Sequence, residues 1–234
     1  MAVAKASFDG RDMFKGIVDP PSPLSFRQSI VLSSQLSKLP MVNEAEVIRM
    51  VPADVVPELS AAKIDFMLVG AHGISGWLMQ PRATQDVDVL VRPKDKSKTA
   101  QVVLAKFPDL KVEKCPQFWR LGKDEQVLLD IMLADSPLHK RVCKEFDFTR
   151  IGKVPVKIPK VECALAMKFA AMTGHYRKFG KKYLDAGDFI SIIEKNKKLN
   201  VELLKELGEL QFAGGGSDLL KYVDDARAGR RLEI

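Results

Sequence analysis

Residues 82–91 read Arg82-Ala-Thr-Gln-Asp-Val-Asp-Val-Leu-Val91, and the fold turns on them. Val87, Val89, Leu90 and Val91 are strand formers, because branched apolar side chains suit a pleated, partly buried surface. Residues two apart in a strand share a face. Asp86 and Asp88 therefore project side by side, while Val87, Val89 and Val91 face a core. Two like charges held that close repel unless something compensates them. On a solvent-facing edge strand, water does so; in a divalent-metal site, the cation does.

Upstream, the apolar run from Ile64 to Val69 ends at Gly70 and predicts a buried strand. Ala71 to Met79 then predicts a helix, which Pro81 stops. The turn Leu68-Val-Gly-Ala-His-Gly-Ile-Ser75 puts glycines at 70 and 73. A glycine there lets a phosphate approach the backbone, and a helix N-terminus offers N–H donors and a favourable dipole. Turns of this kind are also common as purely structural features.

Downstream, a helix is expected from Pro93 to about Phe107 and a strand near Leu110 to Lys114. Gln126 to Leu133 follows, an apolar run with Asp130 at its centre. A carboxylate there is costly if buried without a partner. One solution joins it to Asp86 and Asp88 through metal; the other is a salt bridge to a Lys or Arg. Mg²⁺ takes a few carboxylates and completes its octahedron with water and phosphate oxygens. Two such ions about 3.5–4 Å apart serve phosphoryl or nucleotidyl transfer.

Elsewhere, residues 1–40 read as a loosely ordered arm with a short helix near Phe26 to Leu36. A helical pattern from Asn43 breaks at Pro52, and a second helix spans about Ala53 to Lys63. Phe146 to Ile158 predicts a hairpin about Gly152-Lys153. Helices are expected at roughly 160–173, 177–196, 200–212 and 217–228, with Gly214-Gly215-Gly216 as a hinge or helix stop. The chain thus divides into the arm (1–40), a mixed α/β core (41–158) and a helical region (159–234).

The 234 residues carry a formal net charge of +7. Between Lys153 and Lys182 lie eight basic residues (153, 157, 160, 168, 177, 178, 181, 182) against the single acid Glu162. Such a stretch attracts polyanions or forms a solvated helix face. Cys115, Cys143 and Cys163 are odd in number and widely spaced, so no disulfide framework is implied. His72, His139 and His175 show no zinc-ligand spacing. No membrane span and no secretory leader are read, and a cytoplasmic location is expected.

Taken in order, LVGAHGISGW, PRATQDVDVLV and VLLDIM resemble the nucleotidyltransferase superfamily of polymerase-beta type. Within it the chain is similar to bacterial AbiEii-type nucleotidyltransferases, many of them toxins of toxin–antitoxin pairs. The resemblance runs from about Phe66 to Ile193, and its most specific part is Arg82-x-Thr84-x-Asp86-h-Asp88-h, where h is an apolar residue. It implies an α/β (α+β) fold, a nucleotidyltransferase-type mixed sheet flanked by helices, followed by a C-terminal helical region. It also implies Mg²⁺, or Mn²⁺, held by Asp86, Asp88 and Asp130, with Asp130 helping to deprotonate the acceptor. Gly70, Ala71, Gly73, Ser75, Arg82 and Thr84 would bind the nucleotide, ATP or another NTP. Lys168 in ALAMKFAAM matches the lysine of a later helix, followed by Arg177, Lys181 and Lys182 and then the acids Asp185 and Asp188. Lys168 would act in catalysis and nucleotide binding and Asp185 in nucleotide binding. Asp185 and Asp188 would orient Lys168 or Arg177, or simply cap and solvate their helix, and the resemblance favours a functional role for Asp185 over Asp188. The chain departs from the pattern at Ala71, where a second glycine or a serine is usual. It departs again at Lys182-Tyr-Leu-Asp185, where an Arg-Asp step is usual.

The expected activity is transfer of a nucleoside monophosphate from an NTP to an acceptor. RNA such as tRNA, a protein side chain or a small molecule would each serve, and an antitoxin protein is the partner the resemblance adds. The alternative is a catalytically silent protein of the same fold that binds nucleotide or nucleic acid. Arg82 could equally brace the strand in an ion pair, and Lys168 could extend its head to water. His72, Trp77 and Trp119 are read as structural.

Overall fold

Strand-forming runs and helical periods translate into a mixed sheet covered on both faces. The computed structural model describes residues 26–36, 49–82, 84–175 and 177–234. The strands are Phe66–Val69 (β1), Val87–Val91 (β2), Lys111–Lys114 (β3), Phe118–Lys123 (β4), Gln126–Leu133 (β5), Phe146–Ile151 (β6) and Val154–Pro159 (β7). They form one sheet of order β3-β4-β5-β2-β1-β7-β6. β2 is antiparallel to β1 and parallel to β5, and β1 is parallel to β7. The helices are Phe26–Leu36 (α1), Pro52–Ala61 (α2), Gly70–Leu78 (α3), Lys96–Lys106 (α4), Pro137–Val142 (α5), Val161–Thr173 (α6), Phe179–Lys195 (α7), Val201–Glu209 (α8) and Gly215–Arg227 (α9).

The period of two divides β2 between two cores. Val87, Val89 and Val91 join Leu129, Ile131 and Leu133 of β5 in a cluster that Val55, Val56 and Leu59 of α2 and Val103 of α4 complete. Leu90, with Met67 and Val69 of β1, faces a second cluster built from α3 and the C-terminal helices through Ile74, Phe169, Phe189, Leu204 and Leu219. Asp88 shares the parity of Leu90, so it emerges on the face that α3, α6 and α7 cover. The sheet and the C-terminal helices thus share one continuous core across residue 159, and the Trp77 indole N–H donates to the Pro159 carbonyl at 2.9 Å.

Several expectations need correction. Residues 43–48 lie outside the described residues, and 49–51 are not helical. Pro52 opens α2 rather than ending a helix, because its missing N–H and fixed φ suit the first helical position. Most of the N-terminal arm is likewise outside the described residues, but α1 is packed: Ile30 is buried, and the Phe26 ring stacks edge-on to Trp77 at 4.6 Å. Strand β4 was not expected. Its hairpin to β5 turns at Asp124 and Glu125, both in the left-handed region (φ 48° and 67°), without the Asn or Gly that marks such turns. The short helix α5, capped by the Ser136 hydroxyl, was also not anticipated.

The glycine run is a packing surface rather than a hinge. Gly214 caps α9 with φ 84°, and Gly215 lies against Gly208 of α8, where a side chain on either would meet the other's backbone. Among the described residues, no helix is long and apolar enough to cross a membrane.

Candidate active site

β1 ends where β2 begins, so Val69 is paired in register with Asp88. On the other side of β2, Asp88 is opposite Asp130 of the parallel strand β5. Asp86 lies two residues before Asp88, and the Thr84 hydroxyl donates to its Oδ1 at 2.5 Å. Ligand oxygens of Asp86, Asp88 and Asp130 all lie within 4.8 Å of one another, and all three residues are partly exposed. The Asp88 carboxyl is pushed up to about 7, first by desolvation and then by the charges of Asp86 and Asp130; Lys168 and Arg177 oppose the shift. Three hard-oxygen donors this close suit Mg²⁺ or Mn²⁺, which would relieve that repulsion.

Of the two outcomes foreseen for Asp130, the salt bridge is present, and the acid also lies where a shared metal would need it. It converges with the other acids, and it accepts a fork from Arg120, with Nε to Oδ1 at 2.9 Å and Nη2 to Oδ2 at 3.1 Å. Arg120 is a functional candidate that sequence reasoning missed. It is paired with Asp130 across β4 and β5, so only knowledge of that hairpin could have found it.

The turn after β1 is shaped around Asp88. Gly70 has φ +59°, and a Cβ built on it would lie 1.8 Å from Asp88 Oδ2. A side chain there would displace the carboxylate, and the left-handed backbone would strain it as well. A Cβ on Gly73 would meet the Leu68 carbonyl at 2.4 Å, which gives that glycine a packing reason. Ala71 is buried. Ser75 is fully buried, and its hydroxyl donates to the His72 carbonyl at 3.0 Å. That bond holds the hydroxyl inside α3, which removes the exposed phosphate contact expected of it. His72 is 1% exposed, and neither ring nitrogen has a hydrogen-bond partner among the described residues; burial lowers its pKa to about 4, so the ring is neutral.

A chain of alternating charge lies on the same face. Lys168 of α6 reaches Asp185 Oδ1 and Asp188 Oδ2, both at 2.7 Å. Arg177 reaches Asp185 Oδ2 at 2.6 Å, and Arg82 reaches Asp188 Oδ1 at 3.1 Å. Asp185 and Asp188 are both buried, so they are equal partners in this network and neither merely caps or solvates α7. Arg82 therefore braces the segment that enters β2, and its backbone N–H is held by the Ser33 hydroxyl of α1. Lys168 finds carboxylates where its apolar helix demanded a partner.

The basic stretch is partly neutralised. Lys157 pairs with Asp65 and Lys160 with Glu145, while Lys168 and Arg177 belong to the network above. The cations at 178, 181 and 182 are left at the start of α7, next in sequence to Arg177.

No protein-family model and no curated protein matches the chain. Among solved structures it is similar to an antigenic nucleotidyltransferase-like protein from Paracoccidioides brasiliensis, at 18% identity and TM-score 0.48, over 91% of this chain and 97% of that one. It is similar to the antibiotic-resistance factor ANT(2'')-Ia at 11% identity and TM-score 0.49, over 76% and 95%. It is also similar to the lincosamide antibiotic adenylyltransferase LnuA, solved with lincomycin, at 16% identity and TM-score 0.44, over 62% and 99%.

Proposed function

We propose that this protein is a divalent-metal-dependent nucleotidyltransferase that moves a nucleoside monophosphate from an NTP to a hydroxyl acceptor. The observation that carries the reading is the convergence of Asp86, Asp88 and Asp130 within 4.8 Å, beside a glycine that leaves room for nothing but the Asp88 carboxylate. Asp86 and Asp88 would hold Mg²⁺ or Mn²⁺, with Asp130 completing the set. The bound metal would neutralise triphosphate charge and acidify the attacking hydroxyl.

The chain's own groups account for the rest. Gly70 keeps the backbone close to the acids, and the N–H groups at the start of α3 would receive phosphate oxygens. Thr84 orients Asp86. Lys168 and Arg177 bring positive charge towards Asp88 while held by Asp185. The acceptor oxygen attacks the α-phosphorus, the bond to the pyrophosphate oxygen breaks, and the hydroxyl proton passes to Asp130. The Arg120 fork engages one lone pair on each Asp130 oxygen, so the proton would go to a lone pair that the fork leaves open.

That fork favours one second reading, a silent protein of the same shape in which Arg120 stands in for metal at Asp130. Transfer of label from α-phosphate-labelled NTPs, one base at a time, into total RNA and total protein with Mg²⁺ separates the two. Label that disappears with chelator and with Asp86→Ala/Asp88→Ala supports the enzyme. Folded protein that labels neither fraction, with any of the four bases, favours the silent reading or a small-molecule acceptor, and labelling of a small-molecule fraction distinguishes those two.

A further inference from the structure

Resting on the nucleotidyl-transfer reading, we infer that the exposed first two turns of α7 dock single-stranded RNA, the acceptor whose end reaches the carboxylates. The segment from Lys178 to Leu184 lies between Arg177 and Asp185, the two residues that tie α7 to Lys168 beside Asp88. A ligand seated there would lie on the helix start that follows Arg177, a residue whose charge acts on Asp88.

The surface is apolar and aromatic where a solvated helix would be polar. Phe179 is 67% exposed, Leu184 53% and Tyr183 46%, and the Phe179 and Tyr183 rings pack edge-to-face with centroids 4.7 Å apart. Scattered apolar residues on a surface are ordinary, but three contiguous ones on a single helix start form a patch. Exposed aromatic faces are platforms on which unpaired bases stack, whatever their sequence.

The charge points the same way. Lys178, Lys181 and Lys182 share this helix start with the two rings, and none has an acidic partner among the described residues. They sit at the positive pole of the α7 dipole, in a first turn that has no acid. Cations there are electrostatically unfavourable, and carboxylates are the stabilising choice. A polyanion docked across the turn removes that conflict. Phosphates would meet the lysines while bases stack on Phe179 and Tyr183. A partner protein with an acidic, apolar face is the competing occupant. It would match the charge, but it gives no reason for two aromatic faces standing open beside a hydroxyl-transfer site.

The test measures binding apart from chemistry, using the full chain and a dye-labelled RNA of mixed sequence, about 12 nucleotides long. Fluorescence anisotropy against salt is recorded for the wild type, Asp86→Ala/Asp88→Ala, Phe179→Ala/Tyr183→Ala and Lys178→Ala/Lys181→Ala/Lys182→Ala, each checked by thermal melting. The aromatic variant is expected to bind about tenfold more weakly with an unchanged salt slope. The lysine variant is expected to lose about 2 from the slope of log affinity against log salt, at about 0.7 per phosphate contact. The aspartate variant, which loses transfer, is expected to bind RNA as the wild type does. The inference is overturned if folded wild type does not bind RNA, or if both surface variants bind as it does. Labelling of a non-RNA acceptor by a protein that binds no RNA would overturn the docking surface and leave the transferase standing. RNA binding with the expected variant pattern, but no transfer to any acceptor, would support the surface and sink the transferase.

Discussion

Arg120 grips both carboxylate oxygens of Asp130, at 2.9 and 3.1 Å, while Asp130 converges with Asp86 and Asp88. A resident cation thus already shares the third acid of the cluster. Arg120→Ala would remove the competitor and leave the carboxylate to a metal. Mn²⁺ should then bind about fivefold tighter, the equivalent of roughly 1 kcal/mol for one charge pair in high dielectric. Calorimetric titration of the two proteins measures it, and weaker binding in the variant would show that Arg120 positions Asp130 rather than competing for it.

Gly70 and Gly152 share a left-handed backbone, at φ +59° and +60°, but differ in surroundings. A Cβ at 152 meets nothing within 4 Å, whereas one at 70 meets Asp88 Oδ2 at 1.8 Å. Gly152→Ala should therefore lose only about 1–2 kcal/mol from the backbone. Gly70→Ala should lose more and also abolish metal binding by displacing Asp88. Denaturant melts of both variants give the difference, and equal losses with metal binding intact would mean that the clash relaxes harmlessly.

Lys168 bridges Asp185 and Asp188 with its side chain 12% exposed. Lys168→Met should destabilise the fold by about 3 kcal/mol, the low end for breaking a buried pair, because Arg177 and Arg82 stay on the acids. Adding Asp188→Asn should recover part of the loss by removing a buried charge that then keeps only Arg82. Urea unfolding of the single and double variants decides it. A single-variant loss below about 1 kcal/mol would confine Lys168 to the chemistry.

His72 is neutral in the native protein because burial lowers its pKa to about 4. In the unfolded chain it titrates near 6.5. Between those values the unfolded state binds the extra proton, so acidification from about pH 6.5 to 4 favours unfolding. The full contribution is on the order of 3 kcal/mol, at about 1.4 kcal/mol per pH unit. His72→Leu should flatten stability against pH in that window. An unchanged slope would assign the acid sensitivity to other groups.

Local pattern was enough for much of the architecture. The alternation in 86–91, the apolar run 126–133 with its central acid, the hairpin about Gly152 and the four C-terminal helices are each written in side chains a few residues apart. Strand β4 was not legible, because Asp124 and Glu125 turn the chain with positive φ and no glycine to announce it. The same blind spot concealed Arg120, whose distance from Asp130 depends on the register across that turn.

By itself, then, the sequence determined which residues carry carboxylates on a strand face, which turn admits a glycine, and where the helices run. Period and propensity act over a few residues and need no partner to be read. Tertiary structure alone decided that Asp88 stands opposite Asp130, that Arg82 and Lys168 share Asp188, and that half of a basic stretch is already neutralised while the cations at the start of α7 have no acidic partner among the described residues. Charge compensation depends on separations of a few ångströms, and only the folded chain brings residues more than a hundred positions apart, such as Arg82 and Asp188, to that distance.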